Sequence, residues 1–293
     1  MEIAEGIHRI ESDLGARFMC QYALVGERTL LVDTGLAGTP ESVIVPYLEQ
    51  VAAEPDVVLI SHADVDHCGG NRAVRERYPQ ALFACHELDR RWVESNEALL
   101  RENYLWHEPY GFEEIDEETR RQVLADAGGD TAIDVGLTGG ESLRLDRDWR
   151  VEILHLQGHT LGHVGVWDPR SRAAVIVDAV LSDGIYDRTG TKLIPPRYYD
   201  LASQRQTIHT LRTLEPELLL TAHYPVMEQR EARAWLDGAL AFTQALDAVV
   251  REAVAGGTTD LWELTQLANE RLGPYPEWTT ELGASVRAHL DAV

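Results

Sequence analysis

Four side chains able to bind a metal ion lie within six residues, directly after a short apolar run. They are His62, Asp64, Asp66 and His67, and the run 57–60 of valine, leucine and isoleucine precedes them. Residues two apart on extended backbone point the same way, so the first three side chains share a face. Imidazole nitrogen and carboxylate oxygen are ligands of zinc and related transition metals. The segment therefore predicts a metal site at the end of a buried strand.

Three further metal-binding candidates each follow a predicted strand. His159 lies in a loop punctuated by glycines, after the strand that ends at Leu156. Asp178 closes the apolar run 173–177, and His223 follows a run of leucines. Each of these side chains can therefore reach the edge of a sheet. The repeated placement predicts that they join the four residues of the first segment in one site.

The order of the predicted elements indicates two packed sheets with helices outside. Apolar patterning predicts strands over 6–11, 18–25, 28–32, 57–60, 81–85, 149–156, 163–167, 173–177 and 217–221. Helical spacing of apolar residues predicts helices over 40–51, 71–77, 201–214, 228–253, 259–272 and 277–292. This order is typical of a layered α/β (α+β) protein.

A glycine-rich linker, 255–257, divides the chain. We expect one layered domain over 1–254 and a helical C-terminal appendage over 258–293. A helical and acidic insertion occupies about 87–140 within the first domain. The apolar stripe of the appendage indicates that it packs on the layered domain or on a second subunit, which leaves a homodimer open.

The sequence resembles the metallo-β-lactamase superfamily over about residues 5 to 230. The likeness is carried by five elements in the family's order: Leu31–Gly35, Ser61–Gly70, Gly158–His163, Asp178 and His223. The resemblance implies a four-layer αββα sandwich with a dinuclear metal site at the edges of its sheets.

The same resemblance implies a role for each candidate ligand. Metal one would be held by His62, Asp64 and His159. Metal two would be held by Asp66, His67 and His223, and Asp178 would bridge the two ions. Asp33 and His163 are expected to support the ligands by hydrogen bonds from behind.

The chain departs from the family motif H-x-H-x-D-H at one position. Asp64 stands where the family has its second histidine. A carboxylate there makes the ligand set of metal one harder and richer in oxygen than three histidines. We therefore expect two divalent ions, with zinc favoured and with iron or manganese as alternatives.

The predicted site favours hydrolysis. Two divalent ions joined by a carboxylate and a water produce hydroxide near neutral pH. The leading hypothesis is a metallo-hydrolase whose metal-bound hydroxide attacks a small ester, thioester, lactone or related substrate. In this hypothesis Asp66 orients the nucleophile and passes a proton to the leaving group. The chain has no G-x-S-x-G segment, which argues against a serine hydrolase.

Two other function classes stay open. The first is a di-iron or mononuclear iron oxygenase or oxidoreductase, because flavodiiron proteins and persulfide dioxygenases use the same fold. The second is a metal-binding module without catalysis. Metal analysis of protein purified without added metal separates the first class from hydrolysis.

Substrate specificity is expected to lie in two segments, 87–140 and 182–199. Aromatic and polar residues of the first segment are candidates for an apolar cap: Tyr104, Trp106, His107 and Tyr110. Candidates for the opposing wall come from the second segment: Tyr186, Arg197 and Tyr198.

The composition argues for a small-molecule substrate. A formal net charge of -23 opposes binding to nucleic acid, which needs clustered basic side chains. No apolar run reaches the roughly 18 residues that a membrane span needs. The start of the chain lacks the pattern of a signal peptide, and the three cysteines form no C-x-x-C pair. We therefore expect a cytoplasmic location.

Overall fold

The computed structural model describes all 293 residues. Two β-sheets face each other, and helices cover the outer side of each sheet. The predicted layered α/β (α+β) fold is confirmed by this architecture.

The first sheet has seven strands in chain order, antiparallel from β1 to β4 and parallel from β4 to β7. Its strands are β1 (Glu2–Ala4), β2 (Ile7–Leu14), β3 (Arg17–Val25), β4 (Thr29–Val32), β5 (Val57–Leu59), β6 (Leu82–His86) and β7 (Val135–Leu137).

The second sheet has six strands in the order β15-β14-β11-β10-β9-β8, and only β11 and β14 pair in parallel. Its strands are β8 (Ser142–Arg144), β9 (Arg150–His155), β10 (Val164–Asp168), β11 (Ala173–Val175), β14 (Leu218–Leu220) and β15 (Met227–Glu228). A separate hairpin is formed by β12 (Ile185–Tyr186) and β13 (Lys192–Ile194).

Ten α-helices connect and cover the sheets. The helices of the first half are α1 (Val45–Gln50), α2 (Val65–Cys68), α3 (Asn71–Arg77), α4 (Arg90–Glu94), α5 (Asn96–Leu99) and α6 (Glu117–Asp126). Those of the second half are α7 (Leu201–Leu214), α8 (Gln229–Ala255), α9 (Leu261–Leu272) and α10 (Thr279–Leu290). Shorter helical turns lie at Pro40–Ile44, Leu100–Tyr104 and Glu108–Tyr110. None of the helices has both the length and the apolar character of a membrane span.

Aliphatic side chains between the sheets form the central core. Leu24 and Val32 of the first sheet pack against Val166 and Val175 of the second, and all four are fully or almost fully buried. Tyr22 crosses this core, and its hydroxyl donates a hydrogen bond of 2.6 Å to the carbonyl of Thr221. Burying the apolar area of both sheet faces is the main force that holds the sheets together.

The parallel strands explain where the polar loops meet. Strands β4, β5 and β6 run the same way, so the loops after them leave from one edge of the first sheet. Strands β11 and β14 run parallel in the second sheet, so the residues after them also share an edge. Asp33 follows β4, the segment 61–70 follows β5, and Asp178 and His223 follow β11 and β14.

The structure contains strands that the sequence patterns did not predict. The region 87–140 is helical only to Asp126, and Val135–Leu137 then completes the first sheet as β7. The loop 182–199 contains the hairpin of β12 and β13. These strands have two or three residues each, too few for a periodic apolar pattern to identify them.

The C-terminal helices share a core with the layered domain. Leu264 of α9 and Leu282 of α10 lie in one apolar cluster with Leu246 of α8 and with Tyr198 and Phe112 from the two loop segments. The side chain of His289 on α10 lies in the same interface, where its Nε2 is 2.8 Å from the hydroxyl of Tyr198 and its Nδ1 is 3.2 Å from Asp247 Oδ1. The appendage therefore packs on α8 and on the loops above the sheets.

Acidification is expected to destabilise this interface through His289. Burial lowers the pKa of His289 from its ordinary value of 6.5 to about 4. The unfolded chain therefore takes up a proton that the folded chain does not bind until the pH falls to about 4. Lowering the pH from about 7.5 to about 5.5 should remove on the order of 1 kcal/mol from the free energy of unfolding.

Urea titrations of the wild type and His289→Asn at both pH values measure this contribution. The variant should lose about 1 kcal/mol less on acidification than the wild type does. His209→Asn, a change on the exposed face of α7, is the matched control and should keep the pH dependence of the wild type. An equal pH dependence in wild type and His289→Asn would contradict the assignment.

Candidate metal centre

The loop after β5 is fixed to β4 by one buried carboxylate. Asp33 Oδ1 accepts a hydrogen bond of 2.7 Å from the Ser61 backbone N–H. Its Oδ2 accepts from the Ser61 hydroxyl at 2.8 Å and from His67 Nδ1 at 2.7 Å. Asp33 is fully buried and has a left-handed backbone, with φ of 66°. Asp33 thus supports the metal-binding segment at two places, through Ser61 at its start and through His67 further along.

The glycines that end this segment allow a close approach of two loops. A Cβ on Gly70 would lie 2.3 Å from the carbonyl oxygen of Thr34, and one on Gly69 would lie 2.1 Å from the carbonyl oxygen of Asp126. No side chain fits at these distances. The Thr34 backbone N–H also donates to the carbonyl of His67 at 2.9 Å, which holds the segment against β4 from a second direction.

All seven predicted ligands lie together at the sheet edge, in two adjoining clusters. The Asp64 cluster consists of His62, Asp64 and His159, and the Asp178 cluster consists of Asp66, His67, Asp178 and His223. In the first, Asp64 Oδ2 is 3.2 Å from His62 Nε2 and 3.1 Å from His159 Nε2. In the second, Asp178 Oδ2 is 3.2 Å from His223 Nε2 and 3.5 Å from His67 Nε2.

The clusters touch through the rings of His62 and His67, whose centroids are 4.1 Å apart. The donors form three overlapping groups, and within each group the ligand atoms lie within 4.8 Å of one another. The groups are His62 with Asp64 and His159, His62 with His67 and Asp178, and Asp66 with His67 and His223. These separations are compatible with ligands of metal ions, since tetrahedral sites have metal–nitrogen and metal–oxygen distances of about 2.0–2.2 Å.

Each histidine of the clusters is oriented by a protein oxygen at its Nδ1. The partners are Ser61 Oγ for His62 (2.9 Å), Asp33 Oδ2 for His67 (2.7 Å), the Arg197 carbonyl for His159 (3.3 Å) and the Phe18 carbonyl for His223 (3.1 Å). Because the Nδ1 atoms donate to these oxygens, the Nε2 atoms carry the lone pairs, and they face the clusters. Such bonds from behind are typical of metal-binding histidines.

Two atoms of the Asp178 cluster fit a metal ion well. His67 Nε2 and Asp178 Oδ1 are buried and have no hydrogen-bond partner. A buried acceptor without a partner is costly, so a native structure rarely keeps one without a ligand. The residues of this cluster therefore suit a divalent metal.

The electrostatics of the Asp178 cluster also favour a cation. Burial lowers the pKa of His67, but the carboxylates of Asp178 and Asp66 outweigh burial and raise that pKa well above its usual value. Burial would raise the pKa of Asp178, but His223 and His67 hold it well below its usual range. The cluster thus binds positive charge strongly, either as protons on the imidazoles or as a metal ion that displaces them.

A buried arginine lies against the Asp64 cluster. Arg197 Nη2 is 2.5 Å from Asp64 Oδ2 and 3.0 Å from His159 Nε2. On its other side, Arg197 Nε is 3.0 Å from Glu281 Oε2 of α10. Asp64 Oδ1 accepts a further hydrogen bond of 3.0 Å from Asn103 Nδ2.

Arg197 alters the ionisation of its neighbours. Burial would raise the pKa of Asp64, but Arg197 holds it well below the usual range. Burial and Arg197 together lower the pKa of His159 to about 4. Burial raises the pKa of Glu281 to about 7, although Arg197 opposes the shift. Asp64 is therefore a charged carboxylate paired with a charged guanidinium.

A cavity of about 250 Å³ opens beside both clusters. Its apolar wall is formed by Leu14, Leu36, Val65, Val123, Leu181, Ile185, Ile194, Pro195 and Trp278. Five carboxyl groups and two arginines also line it: Asp64, Asp66, Asp126, Asp178, Glu281, Arg17 and Arg197. The cavity therefore combines apolar surface with a surplus of acidic groups.

Two of the seven predicted substrate residues line this cavity, Tyr104 and Arg197. The others pack elsewhere: Trp106 and Tyr110 against the C-terminal helices, His107 against Phe112, Tyr186 on Asp183, and Tyr198 on His289. His107 and Tyr198 are at most 1% exposed, so they cannot form a free wall. The aromatic content of segments 87–140 and 182–199 predicted that they lie near the site, but it did not predict which rings face the cavity.

His163 contacts the site differently from the sequence expectation. Its ring stacks on that of His62, with centroids 4.7 Å apart. Neither of its ring nitrogens has a hydrogen-bond partner. Burial lowers the pKa of His163 well below its usual value, so the ring is neutral. His163 therefore supports His62 by packing and not by the expected hydrogen bond.

Three residues of the site have no signal in the sequence: Asn103, Trp278 and Glu281. Asn103 lies in a helical turn of the inserted segment, and the other two lie at the start of α10. A single asparagine, tryptophan or glutamate in an amphipathic helix is usually a surface or packing residue. Only the tertiary structure reveals their contacts, because Asn103 donates to Asp64 from the inserted segment and the C-terminal helices bring Trp278 and Glu281 to the cavity.

The model of the metallo-beta-lactamase superfamily matches residues 17–223, and the chain therefore belongs to this superfamily. The match spans strands β3 to β14 and all seven candidate ligands. Membership confirms the resemblance stated above, and it identifies the chain with a superfamily of metal-dependent hydrolases.

Two curated relatives are similar to parts of the chain. Hydroxyacylglutathione hydrolase GloC of Haemophilus influenzae is 25% identical over 148 residues, which are 48% of this chain and 58% of the relative. A UPF0173 metal-dependent hydrolase of Thermococcus onnurineus is 24% identical over 204 residues, 69% of this chain and 80% of the relative. The match thus spans little more than half the length of the Haemophilus protein.

Solved structures share the fold over nearly the whole chain. A metallo-beta-lactamase family protein from Thermus thermophilus has a TM-score of 0.74 and 19% identity, and covers 99% of this chain and 94% of its own. A beta-lactamase domain protein from Burkholderia ambifaria has a TM-score of 0.73 and 16% identity, and covers 100% of this chain and 86% of its own.

Replacing His67 with glutamine is expected to remove metal from the Asp178 cluster. The change deletes the buried Nε2 lone pair, so the loss of affinity should exceed the roughly 10–100-fold typical of losing a residue behind a ligand. Zinc per chain after dialysis against a chelator measures the effect, and circular dichroism checks the fold. His86→Gln is the matched control, because His86 is buried and stacked on His155 outside both clusters. Equal zinc in both variants would contradict the ligand assignment.

Proposed function

We propose that this protein is a metal-dependent hydrolase of small, uncharged acyl compounds with an apolar acyl group: esters, thioesters or lactones. The observation that carries the proposal is the pair of buried, unpartnered ligand atoms, His67 Nε2 and Asp178 Oδ1, beside an apolar cavity. A metal ion bound there would activate water and polarise a carbonyl oxygen, so no side chain need act as nucleophile.

Asp66 is positioned to handle the proton of this reaction. Its carboxylate lines the cavity with a side chain 20% exposed, the most accessible of the seven candidate ligands. Asp66 Oδ2 lies 3.7 Å from His223 Nε2 and 3.9 Å from His67 Nε2. A carboxylate at this place can accept a proton from the attacking water and deliver it to the leaving oxygen or sulfur.

The cavity supports a preference for uncharged substrates. An apolar acyl chain fits against Leu181, Ile194 and Trp278, whereas a leaving group with carboxylates would meet Asp126 and the other acidic groups that line the cavity. The Haemophilus relative is named for a glutathione thioester, which carries such carboxylates. We therefore propose that the substrate of this chain is an acyl compound whose leaving group carries no carboxylates.

Iron-dependent oxidation is the second candidate. An oxygen ligand from Asp64 would favour iron, but the Asp64 oxygens already accept hydrogen bonds from Arg197 and Asn103. Hydrolysis is therefore better supported. Dominant iron in the purified protein, together with consumption of dioxygen, would reverse this order.

A pair of thioesters with one acyl group tests the charge preference. Hexanoyl-N-acetylcysteamine and hexanoyl-glutathione share the reacting bond and differ in the charge of the thiol. We expect kcat/KM at least about tenfold higher for the neutral compound, which corresponds to about 1.4 kcal/mol of transition-state binding. The assay follows free thiol released by the zinc-loaded protein.

Chelator-treated protein is the control for metal dependence, with activity restored by added zinc. Equal or faster turnover of the glutathione thioester would contradict the preference for neutral substrates. No thiol release from either compound, and no hydrolysis of matched esters and lactones, would contradict the proposed function itself.

Trp278→Ala is expected to weaken binding of long acyl chains selectively. The indole lines the cavity and meets Tyr104 edge to face, with ring centroids 5.9 Å apart. Loss of its apolar surface should raise KM for an octanoyl thioester about tenfold and leave KM for the acetyl thioester within about twofold. Trp278→Phe should fall between wild type and Trp278→Ala. A change in KM that is the same for both chain lengths would argue against this contact.

A further inference from the structure

The guanidinium of Arg197 occupies the neighbourhood that a metal of the Asp64 cluster would need. Its Nη2 contacts Asp64 Oδ2 at 2.5 Å and His159 Nε2 at 3.0 Å. The Arg197 side chain is only 3% exposed, so it is a constituent of the cluster and not a surface residue that folds inward. The cluster therefore already contains a positive charge supplied by the chain.

Two of the three ligands of this cluster are engaged by protein donors. His159 Nδ1 donates to the Arg197 carbonyl, so the single lone pair of the ring lies on Nε2, where it accepts from Arg197 Nη2. A metal would require the same lone pair. The second oxygen of Asp64 accepts from Asn103 Nδ2 at 3.0 Å.

Arg197 is held in this position from its opposite side. Its Nη1 donates a hydrogen bond of 3.2 Å to Glu281 Oε1, and its Nε lies 3.0 Å from Glu281 Oε2 without forming a hydrogen bond, so the two side chains are joined by one hydrogen bond and an ion pair. Glu281 belongs to α10, and its side chain is 13% exposed. Arginine keeps its charge at any ordinary pH, so it cannot make room for a metal by losing a proton.

The Asp178 cluster has neither a built-in arginine nor a hydrogen-bond partner for each of its ligand atoms. The ion-pair partners of Asp66 and Asp178 are histidines, with no arginine among them. The lone pair of His67 Nε2 and one oxygen of Asp178 have no partner. The Asp64 cluster thus already contains a cation that engages its carboxylate and His159, whereas the Asp178 cluster contains none.

We propose that the protein holds one metal ion, in the Asp178 cluster, and that Arg197 takes the place of a second metal beside Asp64. The carboxylate of Asp64 then forms an ion pair with Arg197, which a neutral histidine at position 64 could not form. The guanidinium provides a fixed positive charge next to the cavity, where the acyl oxygen becomes negative during hydrolysis. This inference rests on the proposed metal-dependent hydrolysis and replaces the expected pair of ions by one.

Metal stoichiometry tests the proposal without relying on activity. Protein stripped by a chelator is reloaded with excess zinc and desalted, and zinc per chain is measured by mass spectrometry. We expect one zinc in the wild type and two in Arg197→Gln, because the substitution removes the charge and frees Asp64 and His159. Arg17→Gln is the matched control, since Arg17 lines the same cavity without contacting a ligand, and it should keep one zinc. Two zinc ions in the wild type, or one in a folded Arg197→Gln variant, would overturn the proposal.

Two further variants locate the single ion if Arg197→Gln does not fold. His159→Ala should keep one zinc, because His159 belongs only to the cluster that Arg197 fills. His67→Ala should bind none after desalting. Loss of zinc from His159→Ala would place the ion in the Asp64 cluster and overturn the proposal. Two zinc ions together with normal hydrolysis would contradict this inference alone. No zinc and no hydrolysis would contradict the proposed function as well.

Discussion

The buried carboxylate of Asp33 is the constraint on which the site depends. It joins the end of β4 to the loop after β5 through three hydrogen bonds of 2.7–2.8 Å, two to Ser61 and one to His67. Ser61 in turn orients His62, so one fully buried anion fixes a histidine in each cluster. A buried charge is tolerated only when its partners satisfy it, and here those partners are the metal-binding segment itself.

The sequence predicted those parts of the fold that depend on local patterns. The helices at 71–77 and 201–214 match the predicted bounds, because their apolar spacing and flanking residues are clear. Ligands at strand ends were also predictable, since polar residues that follow an apolar run must lie at a sheet edge. Strand β7 and the β12–β13 hairpin were not predictable, because strands of two or three residues are too short to show a periodic apolar pattern.

The surroundings of the ligands were harder to predict than the ligands. Arg197 contacts Asp64 across 133 positions of the sequence, and no local pattern reports a contact of that range. Aromatic residues near the site suggested a wall, yet Trp106 and Tyr198 pack into the core beneath the C-terminal helices. Composition indicates that a segment will bury apolar surface, but only the tertiary structure shows which neighbouring residues cover that surface.

The position of α10 has a consequence for how such proteins diverge. The superfamily match ends at residue 223, whereas Trp278 and Glu281 reach the cavity from beyond it. Two descendants of one ancestor can therefore keep an identical metal-binding motif and still differ in pocket shape and charge, through changes in the tail alone. The metal-binding motif alone therefore does not specify the pocket, because the C-terminal helices contribute part of its wall.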